Sequence, residues 1–342
     1  MKKLLLAALS LGLCIAFSAC SQNSFEPKST AAATESEIKS VSEKAGPFDF
    51  DGENYYHSVY DNYKKQLKIY VGKDKSTEKY KFDFSDTSFF CGSATYNNKI
   101  YYVMSDTEKK ITDIYSVEND KLLKEFSIKG VGLQAMQCKI ADGKLYYSTE
   151  NAVNVIDLTG KNGKQICTSN STTNSGYVQF GLYDGVIYFT DKDGIYSISK
   201  SGKNKAKVVD QNGVNYFVID SGNLSYFSGN TIYTYNLTSK KTTKITINQA
   251  DYFNLSFGIH GDKIYYSVNN SDDSNSVSFK LHCSSFDGKE DDVIYTSPSS
   301  SWYGGVYFDN DKLYCSYFKG AAETDEVLVS MNLDGSKPIE VG

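Results

Sequence analysis

His57, His260 and His282 are the only imidazoles in the chain, and no H-x-x-x-H or C-x-x-C spacing accompanies them. A zinc site would therefore need ligands gathered from several distant segments. His282-Cys283 reads more simply as neighbours on one strand, facing opposite ways. No G-x-S-x-G elbow occurs either, and no Ser/His/Asp order stands out. Two acidic stretches invite a calcium reading: Asp191-Lys192-Asp193-Gly194, and the run from Asn269 through Asp272-Asp273 to Asn275. An EF-hand loop needs a Gly at its sixth position and a Glu at its twelfth. Neither stretch supplies both, so each reads as a hairpin turn, and neither a metal nor a cofactor is expected. Glycoside hydrolysis needs two carboxylates about 5–9 Å apart in a cleft. Apart from turns, the acids nearest such a position are Asp86 and Asp251, at loop ends. An enzyme acting on a glycan or cell-wall polymer is the lesser alternative, and no catalytic residue is assigned.

Aromatic side chains offer more. The chain has 28 Tyr and 19 Phe against one Trp. Several sit in polar connections: Phe89-Phe90, Tyr177, Tyr216, Tyr252-Phe253 and Trp302-Tyr303. Flat apolar faces at a rim suit sugar rings or peptide side chains. The pair Trp302 and Tyr303, in SPSSSWYGG, has Ser and Gly flanks unlike a core strand. These two, with Tyr252, Phe253 and Tyr177, form the candidate ligand-binding set; packing in the interior is the alternative for each ring. Polar loops at 168–176, 267–278 and 317–326 could frame the same face.

The chain's two ends of the charge scale are uneven. All 36 basic residues are Lys, and the net charge is −5. Without Arg there is no bidentate fork for phosphate or guanine, and an acidic chain offers no basic field, so nucleic acid is excluded as a partner. The N-terminus is a targeting signal: Met1-Lys2-Lys3, then an apolar run from Leu4 to Phe17, then Ser18-Ala19-Cys20. The run is too short to span a bilayer comfortably. Small residues before a cysteine resemble the bacterial lipoprotein signal, although Phe17 stands where Leu is usual. The resemblance implies removal of residues 1–19 and a lipid on Cys20; an ordinary secretory signal cut near Ala19 is the alternative. Loss of Lys2 and Lys3 takes the net charge from −5 to −7. Acyl chains would hold the protein to the extracytoplasmic side of the cell membrane, each buried methylene contributing about 0.8 kcal/mol. Residues 20–45, rich in Ser, Thr, Ala and Glu, read as the lipidated cysteine and a flexible linker,. Residues 46–342 form the folded domain.

Within that domain one octet keeps returning. It reads DGENYYHS at 51, NNKIYYVM at 97, DGKLYYST at 142, DGVIYFTD at 184, SGNLSYFS at 221, GDKIYYSV at 261 and NDKLYCSY at 310. Anchored on the fifth position, the intervals are 46, 45, 42, 37, 40 and 49 residues, which is a repeat array. Each unit adds an apolar segment before the turn, a second strand such as Ile195-Tyr196-Ser197-Ile198 after it, and a lysine-rich β segment at the end. Strand, turn, strand, loop, strand, turn, strand is a four-stranded antiparallel meander, and no sustained helical period interrupts it. Seven such meanders predict an all-β fold, a β-propeller of seven four-stranded blades; six or eight remain open because the first copy is weak. Five cysteines follow Cys20, namely Cys91, Cys138, Cys167, Cys283 and Cys315. Their wide spacing favours buried free thiols, with a Cys91–Cys138 bridge the alternative.

The units resemble bacterial propellers related in pattern to the low-density-lipoprotein-receptor-like propeller domain. The match runs through Lys99-Ile100-Tyr101-Tyr102, Lys144-Leu145-Tyr146-Tyr147, Lys263-Ile264-Tyr265-Tyr266 and Asn332-Leu333-Asp334-Gly335-Ser336. The receptors' own Tyr-Trp-Thr-Asp repeat is absent, so the resemblance implies the fold and leaves function open. The expected function is binding: a membrane-anchored lipoprotein, monomeric, whose loop face takes a glycan, a peptide or an envelope protein. A non-catalytic envelope scaffold is the further alternative.

Overall fold

In the computed structural model the described residues are 48–50, 55–61, 63–71, 77–118, 121–132, 136–171, 176–247, 257–270, 278–298, 301–309, 312–319 and 326–340. Residues 1–47, where the signal segment, Cys20 and the linker are expected, lie outside them. Every described regular element is a strand, and the 28 strands make seven four-stranded sheets.

The chain divides into two compact units, the first ending at Asn215 and the second beginning at Tyr216. Four blades belong to the first. Blade 1 is β1 (Phe48–Phe50), β2 (Tyr55–Asp61), β3 (Gln66–Val71) and β4 (Thr77–Asp83). Blade 2 is β5 (Ser88–Tyr96), β6 (Lys99–Asp106), β7 (Ile111–Glu118) and β8 (Lys121–Lys129). Blade 3 is β9 (Cys138–Ala141), β10 (Lys144–Ser148), β11 (Ala152–Asp157) and β12 (Lys164–Thr168). Blade 4 is β13 (Phe180–Tyr183), β14 (Val186–Asp191), β15 (Gly194–Ser199) and β16 (Ala206–Val209).

The second unit holds three blades. Blade 5 is β17 (Phe217–Asp220), β18 (Asn223–Ser228), β19 (Thr231–Asn236) and β20 (Thr242–Thr246). Blade 6 is β21 (Phe257–His260), β22 (Lys263–Asn270), β23 (Ser278–Ser285) and β24 (Asp291–Thr296). Blade 7 is β25 (Ser301–Asp309), β26 (Lys312–Lys319), β27 (Glu326–Asn332) and β28 (Ile339–Glu340). Each sheet runs in chain order with antiparallel pairing, as the repeat predicts, and the weak first copy is a complete blade.

The octet makes the hairpin between the first two strands of a blade. Asp142 and Gly143 both take positive φ, 53° and 68°, between β9 and β10. Asp184-Gly185, Ser221-Gly222 and Asn97-Asn98 do the same in their blades. Two consecutive left-handed residues are what a two-residue hairpin with matching twist requires.

The strand after the turn is covered on both faces. Leu145, Tyr146 and Tyr147 are all buried. Tyr147 packs with Cys91, Ile114 and Met136 toward blade 2, and Tyr146 with Phe180, Ile187 and Phe189 toward blade 4. Tyr265 and Tyr266 likewise enter two different clusters. Alternation disappears because there is no solvated face. Each fully buried ring or aliphatic side chain contributes on the order of 1.5–3 kcal/mol.

Fourth strands carry the opposite chemistry. β8 exposes Lys121, Lys124, Glu125 and Lys129, and β16 exposes Lys207. The pairing of third with fourth strand slips by a bulge in all four blades of the first unit and in blade 6. Charges and bulges both keep an edge from recruiting another strand. The five cysteines are free thiols, so the alternative bridge does not form; Cys138 Sγ instead points at the Cys91 carbonyl, 3.9 Å away.

First strands need small residues where sheets converge. A Cβ on Gly258 of β21 would lie 2.7 Å from Phe308 Cε2 and 3.3 Å from Val306 Cγ1 of β25. Gly258→Ala should therefore destabilise the fold by about 1–3 kcal/mol through overpacking. Thermal unfolding measures this, and an unchanged midpoint would show that β25 yields freely.

Candidate functional site

In each blade the turn joining second to third strand and the segment entering the first strand lie at the same end. In the first unit these connections are held by a dense set of hydrogen bonds. Asp61 ends β2, and its Oδ1 accepts the N–H groups of Tyr63 (3.0 Å) and Lys64 (2.9 Å), closing a tight turn. The Lys64 N–H is the main reason that the Asp61 carboxyl stays below the usual carboxylate range,. Tyr60 Oη donates to the Ser88 carbonyl at 2.9 Å, tying the turn to the start of β5. Burial, then the Asp61 charge, pushes the Tyr60 phenol up to about 12, so it remains a donor. Lys65 Nζ sits 4.4 Å from the centroid of the Phe89 ring, a cation–π contact,.

On this pinned turn Tyr63 stands 88% exposed, the most exposed large apolar side chain among the described residues. A ring normally repays burial, and here the backbone around it is fixed while the ring is left in water. Lys64 is exposed beside it, and the Lys65–Phe89 pair lies next in the same turn. The sequence reading passed over Tyr63. Its signal was available: an aromatic in Asp-Asn-Tyr-Lys-Lys, with no apolar neighbour to pack on.

The adjoining connection, Phe84–Thr87, is held by Asp106 at the end of β6. Asp106 accepts Thr87 Oγ1 at 2.9 Å, Ser85 Oγ at 3.1 Å and Lys109 N at 3.0 Å, and pairs with Lys109 Nζ at 2.8 Å. Burial pushes this carboxyl up, but the donors outweigh it and hold it well below its ordinary value,. In blade 4, Asp191 is engaged in the same way, by Asn170 N and Lys192 N at 2.8 Å and Lys205 Nζ at 2.9 Å. Asp193 takes Lys207 Nζ at 2.8 Å and Tyr196 Oη at 3.0 Å. The stretch 191–194 is thus the β14–β15 hairpin turn, its carboxylates filled by donors of the chain. Among the described residues no three His, Cys, Asp or Glu gather to hold a metal. His282 and Cys283 do face opposite ways: His282 stacks on Tyr266 and meets Asp291 Oδ1 at 3.2 Å, while Cys283 lies opposite Tyr265 in the β22–β23 pairing.

Of the expected aromatic set, Tyr177 lies among the described side chains, and Trp302 and Tyr303 lie on a described strand. Tyr177 is a correction, because its ring is 2% exposed. Val178 N donates to the Thr149 carbonyl at 3.0 Å, and Thr190 N to the Gln179 carbonyl at 2.9 Å. These bonds draw Tyr177–Gln179 inward, so the ring presents no face to a ligand. Trp302 and Tyr303 belong to strand β25 and not to a loop, with Trp302 opposite Phe318 and Tyr303 opposite Tyr317. The long apolar β26 extends the ladder through them, and the bulge between Tyr303 and Gly305 uses the glycines that looked like a loop. Tyr252 and Phe253 lie outside the described residues. Phe90 is buried, Phe89 half-buried, and Tyr216 packs edge-on to Phe257 at 5.4 Å.

Solved structures share this architecture. The extracellular domain of BT4673 from B. thetaiotaomicron, described as a one-component system, is 12% identical at a TM-score of 0.53, spanning 82% of this chain and 37% of that one. The β-propeller domain of Cps50 (Swd1) from Myceliophteria thermophila is 8% identical at a TM-score of 0.51, over 81% of this chain and 96% of that domain. A chain of the nidogen/laminin complex aligns at 10% identity and a TM-score of 0.45, over 71% and 92%. No family model matches the chain, and no curated protein matches it significantly. The fold is a β-propeller of seven blades. At such identities the likeness carries the fold alone.

Asp106→Ala should lower the thermal midpoint at pH 7. The sign with pH follows from the depressed carboxyl: its stabilisation is complete above about pH 4 and is lost as the folded protein takes up the proton at lower pH. The gap between wild type and Asp106→Ala should therefore narrow on acidification. A gap independent of pH would mean that the carboxylate charge does not hold this connection.

Proposed function

We propose that the chain is a membrane-tethered, extracytoplasmic bacterial lipoprotein whose propeller binds a partner through its loop face, without catalysis. The observation that carries the binding reading is Tyr63, an exposed ring on a turn fixed by Asp61 and Tyr60 and flanked by Lys64 and the Lys65–Phe89 pair. Rigid aromatic faces with adjacent ammonium groups suit sugar rings, acidic sugars or peptide side chains. The loop-end carboxylates Asp106, Asp191 and Asp193 are each paired with lysine, which favours binding over two-carboxylate hydrolysis. The leader ending in Cys20 supports the tether, with residues 21–45 as the spacer. An extracellular domain among the solved structures of the same fold fits a binding or scaffold role. Trp302, Tyr303, Tyr252 and Phe253 remain part of the proposal for the second unit.

Two experiments test this reading. A chain beginning at Ser21, screened against glycans, peptidoglycan fragments and envelope extracts, should lose about tenfold or more in affinity on Tyr63→Ala, the loss expected of a binding aromatic. Trp302→Ala and Tyr303→Ala are the corresponding probes of the second unit. Unchanged binding in all three variants would sink the assigned surface. For the tether, Cys20→Ala should move the protein from the membrane to the soluble fraction; continued membrane association would overturn lipidation.

A further inference from the structure

A tyrosine–lysine pair recurs across the third and fourth strands of three blades, and in two of them a carboxylate fills it. In blade 2, Tyr115 of β7 lies opposite Lys124 of β8, whose ammonium is 5.8 Å from the ring centroid. Asp113 closes the set: its carboxylate accepts Tyr115 Oη at 3.2 Å and pairs with Lys124 Nζ at 2.8 Å. Blade 4 repeats the arrangement with Tyr196 of β15 and Lys207 of β16, the ammonium 5.7 Å from the ring centroid. There Asp193 accepts Tyr196 Oη at 3.0 Å and pairs with Lys207 Nζ at 2.8 Å. In blade 6, Val293 stands opposite His282 in place of the lysine. Even so, Asp291, two residues before Val293, accepts Tyr266 Oη at 2.7 Å and meets His282 Nδ1 at 3.2 Å.

Blade 5 carries the pair without the carboxylate. Tyr233 of β19 lies opposite Lys244 of β20. Thr231 stands two residues before Tyr233, where blade 2 has Asp113, and Thr242 stands two before Lys244, where blade 6 has Asp291. No Asp or Glu occurs from 221 to 250, a stretch that holds Lys240, Lys241 and Lys244 in a chain of net charge −5. All three lysines are exposed, and among the described residues none is ion-paired. Ile232 and Ile245 pack with Phe257 and Ile264 of blade 6. Neighbours along a strand project to opposite faces, so Tyr233, Tyr235 and Lys244 share the face turned away from blade 6. Tyr233 is held by stacking on Tyr226 at 5.3 Å and 12°, and both it and Tyr235 are half-buried. Thr242 and Thr246 add exposed hydroxyls to the same face.

Blades 2 and 4 show what fits such a pair: one carboxylate, reached by a phenol and an ammonium together. Charge-assisted bonds of this kind are the strong ones. An acidic peptide side chain would use the Tyr–Lys pair and nothing more of this face. A hexuronic acid also lays an apolar ring face against tyrosine and offers its hydroxyls to Thr242 and Thr246. We propose that this face of blade 5 binds a uronic-acid residue of an anionic polysaccharide. Its carboxylate takes, between Tyr233 and Lys244, the place that Asp113 and Asp193 fill in blades 2 and 4. The site belongs to strands of the second unit and stands independently of the Tyr63 turn.

Calorimetric titration of the full chain in detergent with a galacturonate oligosaccharide, at fixed ionic strength, tests the site. Lys244→Ala should weaken binding about tenfold or more, and Tyr233→Phe, which keeps the ring, about fivefold. Thr242→Asp supplies a carboxylate from the chain itself at an exposed position and should abolish binding. Lys241→Ala removes the same charge from the edge but not from the pair, and Lys207→Ala disturbs a pair that is already filled. Both should leave the affinity within about twofold, since unpaired surface charges are screened by salt. The methyl-esterified oligosaccharide should not bind. Equal losses in Lys241→Ala and Lys244→Ala, or equal binding of the ester, would reduce the contact to general attraction and overturn the site. So would a wild type that does not bind the oligosaccharide, or a loss confined to Tyr63→Ala. Preference for a glutamate oligopeptide of the same length would make the partner a protein and overturn the sugar assignment.

Discussion

Every blade depends on one constraint: its second strand must be covered from both sides. Tyr146 and Tyr147 are adjacent in the chain, so they project to opposite faces, and each is buried in a different cluster,. A single sheet cannot satisfy that pair, and two stacked sheets satisfy only the strands between them. A succession of blades, each serving as the neighbour of the next, meets the demand within a unit. The small residues on first strands, the paired left-handed turns and the charged, bulged fourth strands follow from stacking sheets side by side while keeping their outer edges in water.

This constraint explains what the sequence made legible. The aromatic pair and its turn recur because each blade solves the same packing problem, so a period near 43 residues identified seven blades without any detail of side-chain contact. The connections obey no such shared problem. Ser and Gly around Trp302 looked like a loop, yet a glycine can equally admit a bulge, and the long β26 decides in favour of strand. Tyr177 looked like a rim aromatic because its neighbours are polar; backbone bonds to Thr149 and Thr190 through Val178 and Gln179 turn it inward. Those partners are distant in sequence, so no local pattern announces them. Tyr63 shows the converse: it lies on a turn of the weakest repeat, and the period that marks the strands carries no information about a turn between them.

The division between packing and recognition is correspondingly sharp. The repeated residues are consumed by burial, whereas the turns are secured by Asp side chains that accept backbone N–H groups. A turn closed by its own first or last residue needs little from the residues at its tip. Side chains such as Tyr63 and Lys64 can therefore vary without disturbing a core, which is how one architecture supports unrelated partners.

Repetition is not perfect interchangeability, however. Gln137, on the segment leading into β9, is buried, and its Oε1 accepts the N–H of Phe180 at the start of β13, at 2.7 Å. The main chain of one blade is thus completed by a side chain of the blade before it. A copy of blade 4 moved behind any other repeat would arrive with an unmet amide unless the donor repeat also carried a glutamine at that position. Duplication alone cannot lengthen such an array: each new boundary has to be written into the sequence of both modules that share it.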